Sequence, residues 1–461
     1  MTNTPDPSPN TLLRSLGSWE AAAIVVGTII GSGIFLVPKT MVLNVGTPGK
    51  VLFVWVVGGL LSLFGALTYA ELAAALPHAG GEYVYLREAY GPFWSFVYGW
   101  TSLTVAKSGS IATLATAFAY YLANFFPALD NVLVRLPWRI GPGWQPLAIS
   151  YGQVFAMALI ALLGVVNYFG VKLGGRIQAH VTALKVGLIL ALTLAIAIWG
   201  AGSADNFRTA VPAVGGIAGW GAALVAALWA YDGWNNVNMV SSEIIEPQRN
   251  IPRALILGTL GVLALYLLAN LAYFFVLSAP EVASSDRVAA AAARKFLGPA
   301  GGGAVALAAL ISIFAALNGS ILSGSRVPFA MAQDGYFLSA VGRVHPRYRT
   351  PHVSLLLLSA WAMILTLSGR YEELYTYVIF ASWILYGMTT ASVFVLRRKR
   401  PDLSRPYRTI GYPVLPALFV LAAAFLVAVT LVHSPRESGM GLLVVAAGFP
   451  FFLYWQARRR S

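Results

Sequence analysis

The sequence predicts an all-α membrane protein of twelve transmembrane helices, on three observations. The 461 residues are 58% hydrophobic and only 10% charged, whereas a soluble domain carries about a quarter charged residues. Mainly apolar stretches of about 20 residues, the length that crosses a bilayer as a helix, recur from Leu16 to Trp455 between short polar or Pro/Gly-rich turns. Two of these stretches, the first and the sixth, are interrupted by polar, Gly-containing sequence.

The twelve segments start near Ser18, Val51, Pro92, Tyr151, His180, Gly219, Ala254, Gly301, Val353, Leu374, Pro413 and Gly439. A single transmembrane domain over 16–457 follows a cytoplasmic N-terminal segment at 1–15. The longest stretches outside it, around Asp130 to Gln145 and Ala279 to Pro299, are too short to bury a core of their own. Residues 1–15 are polar and Pro-rich, without the short apolar core and small-residue cleavage site of a removable signal peptide, so the first helix is expected to direct insertion.

The net charge of +14 would suggest nucleic acid in a soluble protein. Here the basic residues gather in alternate loops: Lys172, Arg176, Arg249, Arg253, Arg343, Arg347, Arg349, the run Arg397 to Arg400, and Arg458 to Arg460 at the end. The positive-inside rule accounts for them and places both termini in the cytoplasm, with no nucleic-acid partner and no lipid-specific one required. The chain has no cysteine, which excludes disulfides, thiolate metal sites and a disulfide-linked partner subunit.

The interruption in the first helix is Gly27-Thr28-Ile29-Ile30-Gly31-Ser32-Gly33-Ile34-Phe35, and that in the sixth is Trp229-Ala230-Tyr231-Asp232-Gly233-Trp234-Asn235-Asn236. Five helices separate them, which predicts a 5+5 repeat, about 16–200 and about 216–396, with helices eleven and twelve at about 413–457 added outside. Unwinding a helix frees N–H groups at the start of its second half and carbonyls at the end of its first. Free N–H groups around Gly31, Ser32 and Gly33 suit a carboxylate, and carbonyls near Ile29, Trp229 and Ala230 suit an ammonium, so the pair of breaks fits a zwitterion. Glycine keeps the break open to a ligand. The competing reading of Gly27 and Gly31 is a Gly-x-x-x-Gly helix-packing motif.

These motifs resemble the amino acid-polyamine-organocation superfamily, and within it the L-type amino-acid transporters. The likeness spans nearly the whole chain. The helix-six motif is followed by Ser242-Glu243-Ile244-Ile245-Glu246-Pro247-Gln248-Arg249-Asn250-Ile251-Pro252, similar to the family's acidic, proline-containing stretch, and Leu317-Asn318-Gly319-Ser320 with Ser325-Arg326 completes the set. The resemblance implies the leucine-transporter fold, alternating access, amino-acid binding by Ile29, Ser32, Gly33, Trp229, Ala230 and Asp232, and a gate at Trp229. Animal members link to a heavy chain through a cysteine, which this chain lacks, so a single-subunit bacterial-type carrier is expected. The function implied is sodium-independent exchange of neutral and cationic L-amino acids across the cell (inner) membrane. Its alternatives are a proton-coupled amino-acid symporter, a polyamine or organocation carrier and, from a different class, a non-transporting amino-acid sensor.

Ionisable groups at bilayer depth cost about 2.5 to 3.5 kcal/mol on insertion scales, so each requires a partner or a role. Lys185, early in the fifth predicted helix, lies where similar family members hold a lysine. The resemblance implies that its ammonium takes the place of a sodium ion, bridging the first-helix break to a hydroxyl of helix eight, Ser320 or Ser323. It is either a fixed positive pin or a lysine of burial-lowered pKa that releases a proton; snorkelling to an interface is the bland reading. Asp232 either reads substrate charge, as its resemblance to exchangers of cystine and dibasic amino acids suggests, or caps the second half of helix six. Lys107, mid-way along helix three near Ser108 and Ser110, faces either the pathway, where it would act as a gate, or a carboxylate.

Glu71 and Glu243, at helix ends, either pair with loop arginines as an inner gate or are simply solvated. Asn235 and Asn238 share one helix face, for substrate binding or for helix–helix hydrogen bonds. Trp94, Trp100, Trp138 and Trp144 include interfacial anchors as well as core positions. Asn318-Gly319-Ser320 matches a glycosylation pattern but sits inside an apolar segment and is discarded. No metal motif, nucleophile turn or phosphate loop occurs, so neither a cofactor nor catalysis is expected.

Overall fold

The computed structural model describes residues 11–135, 148–367, 371–433 and 435–460. Trp138 and Trp144 lie outside these. The first interrupted segment forms α1 (Ser18–Ile29) and α2 (Gly33–Val45), followed by α3 (Pro48–Ala75) and a short α4 (Glu82–Tyr90). The third predicted segment is α5 (Pro92–Thr101), one π-helical turn at Ser102–Ala106, and α6 (Lys107–Leu122). A two-stranded antiparallel hairpin, β1 (Val132–Arg135) with β2 (Ala148–Ser150), precedes α7 (Tyr151–Tyr168) and α8 (Val171–Trp199).

The second interrupted segment is α9 (Gly216–Ala230) and a 3-10 segment at Trp234–Glu243. Then come α10 (Pro247–Val276), two short helices α11 (Ala279–Ser284) and α12 (Val288–Leu297), α13 (Ala300–Gly324), α14 (Arg326–Gln333) and α15 (His352–Thr366). The chain closes with α16 (Tyr371–Lys399), α17 (Val414–His433) and α18 (Pro435–Arg460).

Among the described residues, seven helical segments are long and apolar enough to cross a membrane: 18–45, 48–75, 151–168, 171–199, 247–276, 300–333 and 414–432. Their packing separates an inside from an outside. The apolar windows of 18–45 and 300–333 are each 83% buried, and that of 414–432 is 22% buried, so α1, α2 and α13 form the centre while α17 faces outward. Around that centre α3 packs on α10 and α9, and α8 packs on α1, α10 and α13. Apolar residues cover the outward faces as well, since Leu257, Leu421 and Trp199 are exposed, as lipid contact requires.

The fifth predicted helix starts at Val171 rather than near His180. Hydropathy marks only the apolar part of a helix, and Lys172, Arg176 and His180 occupy the first turns of α8. Lys185 therefore lies mid-helix, fully buried, which removes the snorkelling reading. Trp100 also packs inside the protein: it stacks on Phe451 at 4.5 Å and donates to the Val444 carbonyl of α18 at 2.9 Å. Trp94 is exposed.

Candidate functional site

The break in the first helix is local and strongly held. α1 ends at Ile29, Ile30 turns to extended backbone (φ −76°, ψ 94°), and α2 begins at Gly33. Carbonyls left without helical partners here would each cost about 1 to 3 kcal/mol if buried unpaired. Lys185 Nζ donates to Gly27 O (2.7 Å), Ile30 O (2.5 Å) and Ser312 O (3.4 Å). Ser312 Oγ donates to Ile30 O and Gly31 O at 3.0 and 3.1 Å. The helix-eight hydroxyl beside Lys185 is therefore Ser312. Ser323 instead donates back to Gly319 O at 2.7 Å within its own helix, and Ser320 lies elsewhere, on the cavity wall. Three acceptors around one nitrogen match the three N–H donors of an ammonium; a neutral amine has only two.

The second break is tied to the first. Tyr266 of α10 donates its hydroxyl to Ile29 O (3.1 Å) and Ala230 O (2.9 Å), one from each broken helix. Thr28 Oγ1 donates across to Gly233 O at 2.8 Å. Gly233 has φ +100°, and a Cβ there would stand 2.9 Å from Thr28 O, so both conformation and proximity require glycine. A Cβ on Gly33 would come 2.7 Å from Ala230 Cβ. On Gly31 the nearest neighbour would be Leu114 at 3.5 Å, an ordinary contact, so a Cβ would fit there. Gly27 packs tightly on Gln178 and Thr182 of α8, so the packing reading holds for Gly27.

Between the breaks lies a small cavity of about 30 Å³. Ile29, Gly31, Ser32 and Gly33 line it from one side and Trp229, Ala230 and Asp232 from the other, with Asn236 and Ser320 also on its wall. Asn235 does not reach it; its amide donates to Glu82 Oε1 of α4. A one-residue offset in the tight 3-10 segment turns Asn236 toward the cavity and Asn235 away. Asn238 likewise bonds outward, accepting from Tyr85 Oη of α4 at 3.3 Å, so both members of the predicted amide pair join helices.

Asp232 is not a cap. Gly233 occupies the N-cap position of the 3-10 segment, and Asp232 Oδ1 accepts from Tyr386 Oη of α16 at 2.8 Å. Asp232 also lines a neighbouring crevice of about 10 Å³ with Tyr98, Ser102, Lys107, Ser382 and Tyr386. Lys107 donates to Asn236 Oδ1; among the described residues no carboxylate lies within ion-pair distance of it. Its partner is thus an amide on the cavity wall.

Glu71 and Glu243 are buried and paired, not solvated. Glu71 accepts from Arg397 at 2.9 and 2.7 Å and from the Thr409 N–H at 2.7 Å, with Arg405 at 3.4 Å. Glu243 holds Arg326 of α14, a helical rather than a loop arginine, at 2.7 and 2.9 Å. Sequence reading did not single out Tyr266, Ser312 or Gln178. The available signal was a lone polar side chain in an apolar run, Tyr266 in Leu-Ala-Leu-Tyr-Leu-Leu, but the packing face that gives it meaning is set only by the fold.

Two helices broken at mid-length, their freed backbone groups converging on one small polar cavity, define the class of secondary carriers. Comparison with known proteins takes the class to a family: residues 16–451 match the family described as amino acid permease, and the chain belongs to it. It is 33% identical to the serine/threonine exchanger SteT of Bacillus subtilis (strain 168) over 455 residues, 98% of this chain and 99% of that one. It is 32% identical to the human b(0,+)-type amino acid transporter 1 over 454 residues, covering 97% of this chain and 89% of the relative. With the human cystine/glutamate transporter it shares 32% identity over 454 residues, 97% of this chain and 87% of that one. The chain is accordingly a multi-pass membrane transporter of the amino-acid class, not an enzyme.

Proposed function

We propose that this chain is a sodium-independent exchanger of neutral and cationic L-amino acids in the cell membrane. The observation that carries the reading is Lys185: its ammonium, held by Gly27 O, Ile30 O and Ser312 O, sits among freed carbonyls where a metal cation would otherwise be needed to neutralise the break. Such a charge is built into the chain and does not travel, so it supplies no ion-driven accumulation. Relatives named as exchangers support the same reading. In this reading the architecture is leucine-transporter-like, with twelve transmembrane helices arranged as repeats at about 16–200 and 216–396 plus two further helices, and both termini are cytoplasmic. No cysteine is present to link a heavy chain.

Substrate binding is assigned to the cavity between the breaks. Its N–H groups at Gly31 to Gly33, on the positive end of α2, receive the substrate carboxylate. The Ile29 and Ala230 carbonyls retain a second lone pair beyond the Tyr266 hydroxyl and receive the substrate ammonium. Trp229 is the gate over this site, and Asp232 offers a carboxylate to cationic side chains.

The test is uptake of radiolabelled serine, leucine and arginine into liposomes holding the purified protein, with and without internal amino acid and an imposed pH gradient. Exchange predicts flux only with internal amino acid. Accumulation driven by the pH gradient alone would make the protein a symporter, and binding without flux a sensor.

A further inference from the structure

Beneath the cavity lies a buried carboxylate that the transport reading does not use. Glu82, the first residue of α4, has no exposed surface. Its Oε1 accepts from Asn235 Nδ2, while its Oε2 is buried with no partner among the described residues. On the other side of the same pair, Asn235 Oδ1 is also buried with no partner. Two unpartnered acceptors on two groups already joined by one hydrogen bond leave one proton to be placed. A carboxylic acid and a primary amide close a ring of two hydrogen bonds: the amide N–H donates to one carboxyl oxygen, and the acid O–H donates to the amide oxygen. An ionised Glu82 would instead be a buried charge with no cation paired to it among the described residues, which costs several kcal/mol.

The surrounding groups do not remove that charge. Lys107 of α6 faces Glu82 but gives its hydrogen bond to Asn236 and lies beyond ion-pair distance. Tyr98 of α5 turns its hydroxyl toward Glu82 within hydrogen-bonding reach, and Tyr69 of α3, Tyr386 of α16 and Tyr85 on α4 itself face it as neutral phenols; none of the four brings a positive charge. On α14, Arg326 is taken by Glu243, and at the far end of α4 Arg87 is taken by Asp334.

We infer that Glu82 and Asn235 form a proton-binding site: in the conformation described here Glu82 carries a proton on Oε2 and donates it to Asn235 Oδ1. Separation of α4 from the 3-10 segment breaks the ring, and the proton on Oε2 passes to water that enters the gap. Protonation of Glu82 thereby holds α4 against the segment that carries Asn236 of the cavity wall, and a carrier with a fixed Lys185 charge gains a pH-dependent step.

Infrared difference spectroscopy of the purified protein tests the site, comparing wild type with Glu82→Gln near neutral pH. The expected result is loss in the variant of a protonated-carboxyl C=O band, one that shifts in heavy water. Its presence unchanged in both proteins, or its absence from wild type, would overturn the inference, including the case of a carboxylate met by buried water. Glutamine preserves the ring, because its amide N–H donates where the acid O–H did, so the variant keeps the contact. Exchange measured across pH adds the functional arm: a pH-dependent rate in wild type and a flat profile in Glu82→Gln, at whatever rate remains. An identical profile in both would remove Glu82 from the cycle. The functional arm rests on the exchanger reading; the infrared arm does not, so failure of one is distinguishable from failure of the other.

Discussion

At the scale of single residues, chemistry concentrates where a polar side chain meets freed backbone. Lys185→Ala removes three charge-assisted hydrogen bonds, each worth about 1.5 to 3 kcal/mol. Uptake is expected to be abolished while the protein still inserts, which membrane fractionation alongside flux measurement checks. Ser312→Ala removes the donor to Ile30 O and Gly31 O and is expected to cost about 1 to 3 kcal/mol, seen as lower thermal stability in detergent and a slower exchange rate. Asp232→Asn should weaken arginine and lysine far more than leucine in competition assays, since the amide keeps an acceptor for Tyr386 but loses the charge; equal loss of both would leave only a structural role. Lys185 and Asp232 were legible in the sequence because a charge inside an apolar run stands out. Ser312 was not: serines recur along α13, and only the rotation of that helix against α1 decides which one meets the break. Ser320, two turns further on, faces the cavity instead.

At the scale of elements, the two breaks behave as one device. Tyr266 bridges Ile29 O and Ala230 O, and Thr28 bridges to Gly233 O. Tyr266→Phe keeps the ring packed between Trp55 and Tyr231, at 5.1 Å from each, and removes only the hydroxyl. Its expected effect is a raised KM for exchange with modest loss of stability, read by substrate titration. Gly233→Ala places a side chain at φ +100° against Thr28; strain of about 1 to 3 kcal/mol plus the clash is expected to leave little folded protein on size-exclusion chromatography.

The breaks themselves were legible from glycine placement. The form of the second was not, because sequence suggested a capped α-helical half where the chain makes a 3-10 segment that redistributes Asn235 and Asn236. Neighbouring elements are clamped by ion pairs: Glu71 joins α3 to Arg397 of α16 and to the Thr409 backbone. The N-terminal residues Ser15 and Leu16 pair with Glu243 O at 2.9 Å, fastening the start of α1 to the end of the second break.

At the scale of the whole molecule, the apolar composition announced a membrane protein, and the order of the motifs announced a carrier. Hydropathy located helices but misjudged their ends wherever a helix begins with basic residues, as α8 does at Lys172 and Arg176. Two surface ion pairs tie short helices to their neighbours: Lys39 of α2 reaches Asp286 at 2.5 Å, and Lys295 of α12 reaches Glu281 of α11 at 2.8 Å and holds its carboxyl below the usual carboxylate range. The reading of basic loops as cytoplasmic predicts that epitope tags at the two termini are reached by antibody only after the cell membrane is opened.

The measurement that bears most directly on the central claim is exchange of labelled for unlabelled amino acid in sodium-free liposomes, wild type beside Lys185→Ala. Full exchange by wild type without sodium, lost in the variant, is the predicted result. Exchange that requires sodium in the wild type would contradict it, since the Lys185 ammonium would then not be the cation that completes the break.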